Sequence, residues 1–118
     1  YRASRMRAEA LRLQAQDLAR DRARLLDRLT VRLASIAERL TAAEGTVTIA
    51  QQNYEAAKQQ FENGLIDLTR LGEFSLAIGE QEFQLAALRY QRLLVINQLQ
   101  ALTRDAEPDP VIGTDIDD

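Results

Sequence analysis

The chain contains no histidine, no cysteine and no tryptophan. Without imidazole or thiol, the usual zinc ligands, thiol nucleophiles and histidine bases are missing. The lack of cysteine is neutral about redox compartment, because it suits an oxidising periplasm and a reducing cytosol equally. Three tyrosines and three phenylalanines are the only aromatics, so a compact core built on large rings is not expected. No run of about eighteen apolar residues occurs, and no segment reads as a membrane-spanning helix. Asp17, Asp21 and Glu55 fall on polar faces with no histidine partner, and no glycine-rich phosphate loop is present. The expectation is a protein that is not an enzyme, with no cofactor and no metal site.

What the 118 residues do hold is alanine, leucine, arginine, glutamine and glutamate, a mixture that favours long helices or coiled coil. The length is room for one domain. The net charge of −3 conceals a polarity. Arg2, Arg5, Arg7, Arg12, Arg20, Arg22, Arg24, Arg28, Arg32 and Arg39 crowd the first third, while Asp105, Glu107, Asp109, Asp115, Asp117 and Asp118 end the chain. Nucleic-acid binding is not expected from the basic third. Glu9, Asp17, Asp21, Asp27 and Glu38 are interleaved at helical spacing, as in Asp17 with Arg20 and Arg24, which reads as intrahelical ion pairs on a solvated face. The chain begins at Tyr1 and carries no signal peptide, so it is read as a piece of a longer protein.

Leu26, Leu29, Leu33, Ile36, Leu40, Ala43, Val47, Ala50, Tyr54, Ala57 and Phe61 recur in alternating steps of three and four, a heptad seam held for about five repeats. Upstream the seam runs Leu11, Ala15, Leu18, Arg22 and Leu25, with a stutter around Leu29. Arg12 and Arg22 on this side either snorkel to water or face a water-filled lumen. The first helix is expected over about 1–63, roughly 90 Å at 1.5 Å per residue. Asn63-Gly64 breaks it, with Gly64 suited to the left-handed position after a helix end. Asp67 is a good N-cap for a second helix over about 67–104. A short link between long apolar-seamed helices implies an antiparallel coiled-coil hairpin, all-α, over 1–104. Pro108 and Pro110 then stop the helix, and 105–118 is expected to be an acidic, disordered tail.

The second helix carries two seams. Ile78, Gln81, Leu85, Leu88, Arg92, Val95, Leu99 and Leu102 form one; Leu76, Gly79, Phe83, Ala86, Tyr90 and Leu93 form the other. A helix apolar on two sides belongs in a bundle or a closed helical wall, and a lone hairpin would leave one seam in water. The isolated chain is therefore expected to self-associate. Gly72 and Gly79, seven apart, are either tolerated weak points costing about 1 kcal/mol each or places where a neighbouring helix comes close.

The stretch Tyr54-Glu55-Ala56-Ala57-Lys58-Gln59-Gln60-Phe61-Glu62-Asn63-Gly64-Leu65-Ile66-Asp67-Leu68 resembles the segment at the periplasmic tip of TolC-like outer-membrane efflux proteins. The likeness continues through Gln84-Leu85-Ala86-Ala87-Leu88-Arg89-Tyr90 and Asn97-Gln98-Leu99-Gln100-Ala101-Leu102, and it covers about Arg20 to Thr103. The resemblance implies the C-terminal periplasmic hairpin of a homotrimeric channel subunit, located in the outer membrane through a β-barrel not contained in this chain. It implies a tip of Phe61, Asn63, Gly64, Leu65, Ile66 and Asp67 that meets a periplasmic adaptor protein, itself serving an inner-membrane pump. Two positions depart from the family pattern. Asp67 stands where serine or threonine is common, and Arg70 stands where an aspartate is frequent, with Glu73 at the next acidic position. Arg70 and Glu73 would line the channel entrance, pair across subunits or form a solvated first turn. A stand-alone coiled-coil scaffold or chaperone-like hairpin is the competing reading.

Overall fold

The computed structural model describes Arg2–Ala106, and within it the chain is a helix–turn–helix hairpin with no strand among the described residues. Helix α1 spans Arg2–Glu62 and helix α2 spans Leu68–Ala106. No proline interrupts α1, and good helix formers fill it. Gly45, its only glycine, leaves the helix unbroken. Threonines inside the helices are accommodated by turning their hydroxyls onto the preceding turn: Thr30, Thr41, Thr46 and Thr48 each donate from Oγ1 to the carbonyl four residues back. Helix α2 continues to Ala106, two residues beyond the expected end at Arg104. The remainder of the expected acidic tail, 107–118, lies outside the described residues.

The described chain falls into two compact units. In Leu33–Leu94 the buried residues are Ile36, Leu40, Val47 and Ala57 on α1 and Leu85 and Leu88 on α2. Leu33, Ala43, Ala50 and Tyr54 are half-buried between them, so the heptad seam of α1 is the buried seam of this unit. Ile36 is only 2% exposed. Covering a side chain of this size contributes about 1.5–3 kcal/mol, which is why a repeated three–four spacing suffices to hold two helices together. On α2 the seam follows Ile78, Gln81, Leu85 and Leu88 but then takes Gln91, not Arg92, which is exposed. Both positions satisfy a three–four step between Leu88 and Val95. A neutral amide is the cheaper group to half-bury, and the guanidinium stays in water.

The other unit combines the start of α1 with the end of α2. Leu29 and Val95 are buried there, and Leu26, Ile96, Leu99 and Leu102 are half-buried. Every residue from Arg2 to Leu25 is exposed, Leu11 and Leu18 included. The upstream seam therefore meets no partner among the described residues. Helix α1 has 61 residues against 39 in α2, and an antiparallel mate that short runs out before the seam does. Arg12 and Arg22 are exposed with it. Of the intrahelical ion pairs expected in the basic third, Glu9 with Arg12 forms. Asp17 makes no pair with Arg20 or Arg24, and among the described residues Glu9–Arg12 at 3.8 Å and Arg70–Glu73 at 2.7 Å are the ion pairs present. Exposed long side chains gain too little in water to be held in one geometry.

Candidate interaction tip

The turn between the helices is built by one glycine and one aspartate. Gly64 has φ of +76°, the left-handed conformation that an L-residue resists. It reverses the chain so that the Gly64 amide donates to the Phe61 carbonyl at 3.0 Å and the Leu65 amide donates to the Gln60 carbonyl at 2.8 Å. Those two bonds are the Schellman pattern, and they satisfy two carbonyls that the end of α1 would otherwise leave open. Three residues later Asp67 caps α2. Its Oδ1 accepts from the Arg70 amide at 2.8 Å, and its carbonyl takes the first helical bond, from Leu71, at 3.2 Å. A carboxylate at this place also meets the positive end of the helix dipole. The turn is thus fixed by backbone chemistry at both ends.

The structure places the six tip residues together on this turn, though not all equally outward. Phe61, Asn63, Gly64, Leu65 and Asp67 are exposed, with Leu65 at 73%. Ile66, beside Leu65, is half-buried. Side chains of neighbouring turn residues point different ways, and one of the two apolar groups tucks back. The Gly64 and Leu65 amides at the tip are both used in the Schellman bonds. Leu68 was not among the expected tip residues yet is nearly as open as Leu65, at 68% exposed. Its signal was available: an apolar residue directly after an N-cap sits on the first turn, where no preceding turn covers it.

Arg70 and Glu73 pair with each other. Arg70 Nη1 donates to Glu73 Oε2 at 2.7 Å, and the guanidinium carbon lies 5.0 Å from the centre of the Phe74 ring. Both charged side chains remain well exposed, so this is a solvated first turn with the arginine laid over an aromatic face. Phe74 itself is half-buried and lines a cleft of about 160 Å³ with Asn53, Ala56, Ala57 and Gln60 of α1. The ring thus bridges the two helices just behind the turn.

The second seam of α2 is uncovered. Leu76, Phe83, Tyr90 and Leu93 are exposed, with Phe83 at 75%, and a shallow groove of about 780 Å³ runs past Gly72, Leu76, Gly79 and Phe83. Among the described residues no group of histidine, cysteine, aspartate and glutamate side chains could hold a metal ion, and no helix is long and apolar enough to cross a membrane. No family model matches the chain, and neither a curated protein nor a solved structure is found to be similar to it.

Proposed function

We propose that this chain is a wall segment of the periplasmic helical tunnel in a TolC-like, trimeric outer-membrane efflux channel, and that its turn docks a periplasmic adaptor protein. The observation that carries the reading is the tip: Leu65 and Leu68 stand open to solvent on a turn whose backbone is locked by Gly64 and Asp67. Apolar side chains presented on a preformed turn lose little entropy when another helical hairpin packs on them. The open second seam of α2 adds support, because a helix in a closed wall needs apolar cover on both sides. The chain's part in export is passive: it forms the tunnel and holds the adaptor, and the pump supplies the work.

The test is made in the longer subunit to which this reading assigns the chain. Gly64→Trp and Gly64→Ala impose the same left-handed backbone on an L-residue, and a Cβ at Gly64 meets nothing within 4 Å. They differ only in the bulk sent outward to where the adaptor would sit. Gly64→Trp should abolish export while the heat-sensitive trimer still reaches the outer membrane, and Gly64→Ala should retain export. Unchanged export with Gly64→Trp removes the tip assignment. A short soluble polypeptide in the cytosol, detected by antibody to the chain, replaces the channel with a coiled-coil scaffold.

A further inference from the structure

The uncovered face of α2 has a pattern that single-helix amphipathicity does not require. Its seam positions alternate small and large: Gly72, Leu76, Gly79, Phe83, Ala86, Tyr90. They follow steps of four and three, and they lie two positions, or about 200°, round the helix from the seam that packs on α1. Both glycines are exposed, and a Cβ added to either would meet nothing within 4 Å. Nothing among the described residues therefore asks for glycine at these places, although each weakens the helix by about 1 kcal/mol relative to alanine.

We infer that this face of α2 is a self-complementary surface on which a second copy of the chain packs antiparallel, about a two-fold axis beside residue 81. In that register Gly72 faces Tyr90 of the other copy, Leu76 faces Ala86 and Gly79 faces Phe83. The same three pairs recur on the other side of the axis. Every large side chain then enters a gap left by a small one, which is the knobs-into-holes condition and an isologous interface. A parallel pair in register does not do this, because equivalent positions then meet large to large and small to small.

The area is adequate for a weak, specific dimer. Phe83 and Tyr90 are 75% and 62% exposed, and with aromatic side chains of ~200 Å² they leave roughly 120–150 Å² each to be covered. Counting Leu76, Leu93 and the glycine edges on both copies, the interface reaches about 1,000 Å², the lower bound for specific association. Glu80 and Glu82 flank the axis, and each comes near its own counterpart. That repulsion holds the affinity down, and salt, by screening it, tightens the dimer instead of loosening it.

The inference does not rest on the channel reading, in which helices of the same tube would cover this face. Sedimentation equilibrium of the 118-residue chain up to a few hundred micromolar should show a monomer–dimer system that strengthens with salt. Gly79→Phe should raise Kd at least tenfold by meeting Phe83, while circular dichroism reports undiminished helix. Combining Gly79→Phe with Phe83→Gly exchanges the two partners across the axis and should return Kd to within about threefold of the parent. Because the chain has no cysteine, Arg92→Cys gives a unique spin-label site. Eleven residues from the axis, two such labels stand about 33 Å apart along the helices at 1.5 Å per residue. A monomer throughout this range, a trimer, failure of the exchange to restore pairing, or a short label distance indicating parallel helices would each overturn the inference. The first two leave the channel reading to be judged on export.

Discussion

Replacing Gly64 by L-alanine, asparagine and D-alanine isolates the backbone chemistry of the turn. A Cβ at this position meets nothing within 4 Å, so steric collision with the described chain does not enter, and the φ of +76° is the whole of the effect on the folded state. An L-residue held in the left-handed region costs about 1–2 kcal/mol. Alanine also narrows the unfolded ensemble, which offsets that by about 0.4–1 kcal/mol. The net loss is about 1 kcal/mol, or roughly 4 °C in Tm for a chain of this size. Asparagine tolerates this conformation better and should lose less than alanine. D-alanine keeps the entropic gain without the strain and should stabilise. Gly72→Ala and Gly79→Ala serve as sign controls: both lie inside α2 with open space for a Cβ, so each should gain up to about 1 kcal/mol. Urea and thermal unfolding followed at 222 nm, at concentrations low enough to keep the chain monomeric, reads all five variants. If Gly64→Ala is as stable as the parent, or if D-alanine is the worse of the two enantiomers, the account of the turn is wrong.

Asp67→Ala removes the acceptor for the Arg70 amide and should cost about 1 kcal/mol, whereas Asp67→Asn keeps an acceptor and should cost only a few tenths, both by urea unfolding. Ile36→Ala opens a cavity at a residue 2% exposed and should cost about 2–5 kcal/mol, while Val31→Ala, at an exposed site on the same helix, should stay within about 0.5 kcal/mol by the same measurement. Arg70→Ala removes the Glu73 pair and the contact with Phe74 and should cost no more than about 1 kcal/mol, because both ionic groups are solvated; a larger loss in thermal unfolding would mean that the first turn of α2 is held by charge and not by its cap.

How much of the molecule was readable beforehand depends on the distance over which each feature is decided. The Gly64 reversal and the Asp67 cap are settled within four or five residues, and both were legible as residue types at fixed offsets. The α1 seam was legible because a heptad repeated five times admits one buried face, and Leu29, Ile36, Leu40, Val47 and Ala57 are buried in that order. The helix bounds were legible to within two residues, with α2 described to Ala106 against an expected end near Arg104.

Other features had no local determinant. Spacing alone could not choose between Gln91 and Arg92, because both satisfy the step from Leu88 to Val95; the packed helix made the choice through the lower cost of half-burying an amide. Nor could it show that Ile66 turns inward while Leu65 stays out, or that Leu68 joins the open surface of the tip. Arg70 had three sequence-level roles, and its pairing with Glu73 over Phe74 is decided by the orientation of one helical turn once Asp67 has started it. By itself, then, the sequence determined the all-α class, the turn, the cap and the two apolar seams of α2, because periodicity and local hydrogen bonding act along the chain. Only the tertiary structure decided which of the two seams is covered. Burial depends on what lies across the interface, and the single partner that α1 provides leaves Leu76, Phe83, Tyr90 and Leu93 in water.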